Sequence, residues 1–318
     1  MKKIEKEKLL RHLEEKGNLV RLDRARQDPL SVTKSSHLPQ EELLLLFRIN
    51  GDKGVEIRVP EGRGGKILFG VSPCEARAVD LLDLTFLRDR IDPYYKRKRE
   101  DNVLFVLACN KPRSTCFCTS FGYGPFSGKF GDVFMVDIGD NLLIDPVTEK
   151  GSKALEGLEL EEATPSDLEK MESLKRSAEG AITTVNIEGI SEKLKKMFLD
   201  EIWADLAFKC VNCGACTYVC PTCYCFDIQD VERTNWGYRE RVWDSCMFPI
   251  YSLETSGHNP RPTGVERMRN RIMHKFSYYP ELYGEYGCVG CGRCIRACPV
   301  NFDIREALET LKEVEVAA

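Results

Sequence analysis

An α/β domain followed by an α-helical domain built around metal ligands is the fold class this 318-residue sequence predicts. Three observations predict it. Two short apolar runs in the first half, 66–71 (KILFGV) and 103–108 (VLFVLA), have the content of strands covered on both faces. The charged segment between them keeps helical spacing. Two identically spaced cysteine runs then dominate the C-terminal part, separated by a segment that reads as helices and loops.

In chain order, the start (Met1-Lys2-Lys3-Ile4-Glu5) has charges with no apolar stretch behind them, so no signal peptide is expected. The strand at 66–71 is followed by a helix at 75–88, with Ala76, Val79, Leu82, Leu84 and Phe86 among charged residues. The strand at 103–108 completes a βαβ unit, which makes the two strands parallel neighbours ending at one edge of the sheet. Cys74 follows the first strand and Cys109 the second. Cys116 and Cys118 lie just beyond, in a loop with Pro112 and Ser114. Carboxyl ends of parallel strands are where such sheets build sites. These four thiols are therefore candidates for an iron–sulfur site. The competing reading is buried core thiols, since free cysteine is often buried and C-x6-C with C-x-C is no standard ligand spacing. Gly139-Asp140-Asn141, between 133–138 and 142–144, reads as a hairpin turn. Residues 151–190, rich in Glu, Lys and Ser, read as helices and a linker. The expected organisation is an α/β domain over 1–150, a helical linker over 151–195 and an α-helical domain over 196–318, each domain folding around its own metal.

The C-terminal runs are Cys210, Cys213, Cys216, Cys220 with Pro221, and Cys288, Cys291, Cys294, Cys298 with Pro299. Both read C-x2-C-x2-C-x3-C-P, the pattern that holds two 4Fe–4S cubes in bacterial-type ferredoxins. Three close thiolates wrap one cube, and the fourth cysteine reaches the other. The first cluster is thus assigned to Cys210, Cys213, Cys216 and Cys298, and the second to Cys288, Cys291, Cys294 and Cys220. Zinc is disfavoured because the pattern occurs twice with its prolines. Between Cys220 and Cys288 lie 67 residues (288 − 220 − 1). That length suits an α-helical dicluster ferredoxin domain, with helices inserted between the runs. Residues 265–276 contain no Gly or Pro and place Val265, Met268, Ile272, Met273 and Phe276 at helical spacing. Residues 304–314 form a closing helix with Ile304, Ala307, Leu308 and Leu311 on one stripe.

A hydrophobic share of 42 % and a charged share of 30 % describe a soluble chain with a real core. The strongest apolar run, 43–47, is far too short to span a bilayer. Fifteen cysteines without an export signal point to metal in a reducing cytoplasm. A net charge of −4 gives no reason to expect nucleic-acid binding. Gly122-Tyr123-Gly124-Pro125 lacks the glycine spacing and lysine of phosphate loops and reads as a turn, so no bound nucleotide or flavin is expected.

Four stretches carry a wider resemblance: Cys74-Glu75-Ala76-Arg77-Ala78-Val79-Asp80, Asp92-Pro93-Tyr94-Tyr95, Cys116-Phe117-Cys118-Thr119-Ser120 and Gly257-His258-Asn259-Pro260-Arg261. Over about residues 66–307 the chain resembles the beta subunit of cytoplasmic sulfhydrogenases and the 4Fe–4S electron-transfer subunit of anaerobic sulfite reductases. The resemblance implies an iron–sulfur electron-transfer protein. It would sit between a flavin-containing, NAD(P)H-oxidising subunit and a catalytic subunit of hydrogenase or sulfite reductase type. It also supports a third cluster on Cys74, Cys109, Cys116 and Cys118. No side chain is assigned a catalytic role. The alternative is an enzyme that reduces sulfur, sulfite or a disulfide directly at its own clusters and thiols.

Cys223, Cys225 and Cys246 remain. They read as thiols packed against a cluster, because three ligands leave a cube one short. His258 and His274 read as structural. Arg261, Arg267, Arg269, Arg271 and Lys275, against the single acid Glu266, mark either a partner face or an offset to the charge of bound clusters.

Overall fold

The computed structural model describes residues 1–22, 30–62 and 64–315. Its strands are β1 (Lys2–Glu5), β2 (Leu19–Arg21), β3 (Glu41–Ile49), β4 (Val55–Arg58), β5 (Ile67–Val71), β6 (Val103–Leu107), β7 (Val133–Asp137), β8 (Asn141–Pro146), β9 (Glu161–Glu162), β10 (Phe226–Glu232) and β11 (Trp236–Trp243). Among the described residues seven of them form one sheet, in the order β2-β5-β6-β7-β8-β1-β9. β2, β5, β6 and β7 run parallel. β8, β1 and β9 continue the sheet antiparallel.

The apolar runs behave as strands buried on both sides. Leu68, Leu104 and Val106 pack on one face with Ala76, Val79 and Leu81. Ile67, Phe105 and Val133 pack on the other with Leu9 and Leu13. The helix after β5 spans Pro73–Phe86, with proline in its first turn, where the missing N–H costs nothing. The hairpin expected around Gly139 is β7–β8. Helices Glu149–Ala154 and Pro165–Gly180 lie in the linker region, the latter with a capping box of Thr164 and Asp167.

The C-terminal region, however, is not helical throughout. Residues immediately after the first cysteine run form the hairpin β10–β11. β11 pairs with β3, giving a four-stranded antiparallel sheet in the order β10-β11-β3-β4. Helix Gly264–Met273 follows, then a π turn at His274–Tyr278 and helix Tyr279–Tyr283. Helices thus lie between the runs, as read, and a hairpin the sequence reading did not expect precedes them. Residues 226–232 are polar and largely exposed, so they lack the alternation that would announce a strand. Strands from 1–150 and from 196–318 are hydrogen-bonded neighbours in this sheet, so the two parts are bound by backbone as well as by side chains. The closing helix, Ile304–Glu313, buries Ile304, Ala307, Leu308 and Leu311 as its stripe predicts. Among the described residues no helix is long and apolar enough to cross a membrane.

Candidate metal centres

The two cysteine runs fold into matching loops. Asn212 and Gly290, each two residues after the first cysteine of a run, have φ of 54° and 60°. Gly214 and Gly292 follow with φ of 75° and 65°. Short helices, Ala215–Tyr218 and Arg293–Arg296, then carry the third cysteine. This left-handed geometry turns backbone N–H groups inward. Asn212 N donates to Cys210 Sγ at 3.4 Å, and Gly290 N to Cys288 Sγ at 3.5 Å. Phe302 N donates to Cys298 Sγ at 3.2 Å. Such inward-facing amides are the donors that thiolate-bound clusters use.

Cys210, Cys213, Cys216 and Cys298 line one cavity together with Cys294, Met247, Met268 and Arg271. Cys213 is its exposed member. The fourth cysteine of the second run thus stands with three of the first. Around Cys220 stand Cys223, Lys275 and the second run. Cys288 is pushed up to about 12 by burial, with Lys275 opposing and Cys220 and Cys294 adding to it. Burial also raises Cys291, which feels the charges of Cys74, Cys220 and Cys294. Cys220 accepts from Lys275 Nζ at 3.4 Å.

The N-terminal thiols converge as well. Cys74 sits in the first turn of Pro73–Phe86, at the end of β5. Cys109 follows β6, and its N–H is held by Pro125 O at 2.8 Å. Burial pushes the Cys118 thiol up, and Cys74, Cys116 and Cys109 add to that shift. Cys118 thus feels the charges of Cys74, Cys116 and Cys109. They also lie against the second run. Cys116 Sγ is 3.9 Å from Cys291 O, Phe117 N donates to Gly290 O at 2.8 Å, and Arg293 pairs with Glu75 at 3.0 Å.

The donor chemistry fits iron–sulfur cubes. All fifteen cysteines are unbridged. Among the described residues no three of His, Cys, Asp and Glu converge closely enough to hold a single ion. Buried thiols with raised pKa values are costly to ionise unless a cationic centre compensates them. The orphaned N–H groups of Arg271 and Arg293 point the same way: Arg271 Nε and Nη1 and Arg293 Nη1 are buried without a partner among the described residues.

Residues 209–302 match the family described as "4Fe-4S dicluster domain", a span that contains all eight cysteines of the two runs. Over 272 residues the chain is 33 % identical to "Sulfhydrogenase 2 subunit beta" of Pyrococcus furiosus, covering 84 % of this chain and 79 % of that protein. The chain belongs to the sulfhydrogenase beta-subunit family. No solved structure matches it. As a member of the sulfhydrogenase beta-subunit family with a 4Fe–4S dicluster domain, it is an iron–sulfur electron-transfer protein.

The remaining candidates separate in this family member. His274 Nε2 lies 3.1 Å from Tyr224 Oη, and burial lowers its pKa to about 4, the signature of a structural neutral ring. Cys225 and Cys246 are hydrogen-bonded thiols, and Cys220 lies likewise against Cys223. The basic stretch resolves inward at three positions. Arg267, Arg271 and Lys275 are buried, while Arg269 lies over the exposed Phe198 ring at 4.0 Å. Sequence reasoning missed Lys34. It is buried 3.6 Å over the Trp243 ring and donates to Cys220 O at 3.4 Å. No sequence signal marks it, because its neighbours come from more than 180 residues away.

Proposed function

We propose that this chain is the wire of a cytoplasmic oxidoreductase complex. It passes single electrons between a flavin-containing, NAD(P)H-oxidising subunit and a catalytic subunit of hydrogenase or sulfite reductase type. Three cubes carry the current, held by Cys210, Cys213, Cys216 and Cys298, by Cys288, Cys291, Cys294 and Cys220, and by Cys74, Cys109, Cys116 and Cys118. The C-terminal region is taken as an α-helical variant of the dicluster ferredoxin, with the β10–β11 hairpin as its insertion. The flavin and nicotinamide chemistry belongs to the partner, not to this chain.

One observation supports the reading: each thiol set adjoins the next, with Cys294 lining the cavity of the first set and Cys116 Sγ 3.9 Å from Cys291 O. Cys216 of the first set and Cys294 of the second act on each other electrostatically. Cys291 of the second and Cys74 of the third do the same. Cys213 is exposed, which gives the wire an exit to a partner. The cubes supply one-electron redox chemistry. The chain's own residues hold them at fixed spacing, exclude water and set the local charge.

Iron content tests the count. Anaerobically purified protein should hold about twelve irons per chain, and Cys116→Ser with Cys118→Ser should leave about eight with both ferredoxin-type signals intact. Eight irons in the unaltered chain would remove the third site and shorten the wire.

A further inference from the structure

Arg271 and Lys275 lie one turn apart, where helix Gly264–Met273 widens into the π turn His274–Tyr278. Such turns re-aim side chains and recur at functional sites. Both side chains are nearly sealed from water, with 3 % and 4 % of their surface exposed. The charges facing Arg271 are sulfurs: Cys216 and Cys294 first, then Cys223 and Cys220. Those facing Lys275 are Cys220, Cys223 and Cys288, with Arg271 opposing. Arg271 therefore stands between the first and second ligand sets, while Lys275 stands at the second.

The two cations differ in how well the protein satisfies them. Lys275 Nζ donates to Thr222 Oγ1 at 3.0 Å, Gly287 O at 2.9 Å and Cys220 Sγ at 3.4 Å, which uses all three of its donors. Arg271 lines the cavity of the first set and touches Cys216, yet its Nε and Nη1 find no partner among the described residues. A guanidinium buried with free N–H groups is costly unless an acceptor arrives. Arg267, buried one turn earlier on the same helix, makes the contrast. Its Nε also finds no partner among the described residues, but Arg267 stands outside the lining of that cavity, and its Nη1 donates to Arg261 O at 3.0 Å and Pro262 O at 3.1 Å, on the loop.

We propose that Arg271 sets the reduction potentials of the first and second clusters together, its unpaired N–H groups donating to cluster sulfur, and that Lys275 acts on the second cluster alone. This rests on the ligand sets assigned above. Reduction adds one negative charge to a cube. A fixed cation with N–H···S bonds favours that state and raises the potential. An arginine suits the position between two cubes because it keeps its charge when buried and its planar fork reaches in two directions.

The test is a redox titration of the cluster-loaded full-length protein, followed by electron paramagnetic resonance. Arg271→Gln should make reduction of both clusters about tenfold less favourable, about 59 mV downward for a one-electron couple. Lys275→Gln should lower only the second cluster, and Arg267→Gln should move neither. Wild-type potentials in Arg271→Gln overturn the proposal, as does an equal fall in Arg267→Gln. If Arg271→Gln fails to take up iron, Arg271→Lys is read instead. Both potentials falling there supports the role of the lost donors, and unchanged potentials overturn it. A wild-type chain without two cube signals sinks the ligand assignment itself, and that outcome is visible before any variant is titrated.

Discussion

Gly290 is the residue at which two thiol sets touch. Its φ of 60° already disfavours a side chain. A Cβ there would also stand 2.5 Å from Cys118 N and from the Phe117 carbonyl carbon and oxygen. The neighbour is backbone and cannot swing away. Gly290→Ala should therefore cost about 1–3 kcal/mol and perturb the second and third sites together. A denaturant midpoint and cluster spectra read both effects; an unchanged midpoint with unchanged spectra would mean that the two loops are not in contact. Every cysteine of the two runs was legible in the sequence, because spacing of two and three residues is a covalent constraint on what one loop can wrap. For the four N-terminal thiols, topology suggested a shared sheet edge, but their spacing did not say whether they bind metal. The contact between Gly290 and Cys118 was not, since it joins positions about 170 apart and has no local period. The buried cations were half legible. Arg267, Arg271 and Lys275 repeat every four residues alongside Met268, Ile272 and Met273, so the spacing placed them near the apolar face but did not say whether they pointed in or out.

One element that sequence reasoning missed is the hairpin β10–β11. Its first strand, Phe-Asp-Ile-Gln-Asp-Val-Glu, alternates weakly and stays largely exposed, so neither period wins. What fixes it is tertiary. β11 aligns with β3, Trp243 Nε1 donates to Leu38 O at 3.1 Å, and Arg241 pairs with Glu42 and Asp92. Arg241 and Glu42 are both buried, and the Asp92 contact is 2.6 Å. Lys98 also reaches Glu42, so the site is a small network rather than one pair. Removing the central cation leaves two carboxylates short of their partner. Arg241→Met should accordingly destabilise the fold by about 3 kcal/mol, and Glu42→Gln in the same background should restore part of that loss. Urea or guanidinium titration measures both. A single variant that melts at the wild-type midpoint would show that backbone pairing alone holds the hairpin.

At the scale of the whole molecule, the halves are interlocked by more than the shared sheet. Tyr279 Oη donates to Leu81 O, Tyr123 Oη to Val289 O, and Arg88 Nη1 to Leu282 O at 2.8 Å. Lys34, from the N-terminal half, covers Trp243 and donates to Cys220 O, beside the ligands of the second cluster. Composition and motif could place two kinds of structure in this chain, but could not say that one completes the other. Each of these contacts is a single hydrogen bond or ring contact between distant residues. The consequence is testable on a fragment. Residues 196–318 hold all eight cysteines of the two runs, so a modular domain would load two cubes without the rest. Cut from 1–195, β11 loses β3, Trp243 loses Lys34 and Leu38, Arg241 is left without Glu42 and Asp92, and Tyr279 loses Leu81. An exposed strand edge beside a buried, unpaired arginine favours aggregation over folding. The fragment should therefore take up well under the eight irons of two cubes and unfold without a cooperative transition, while the full chain does both normally. A fragment that holds two cubes and unfolds cooperatively would show that the N-terminal half is an appendage and that the wire runs between separate bodies.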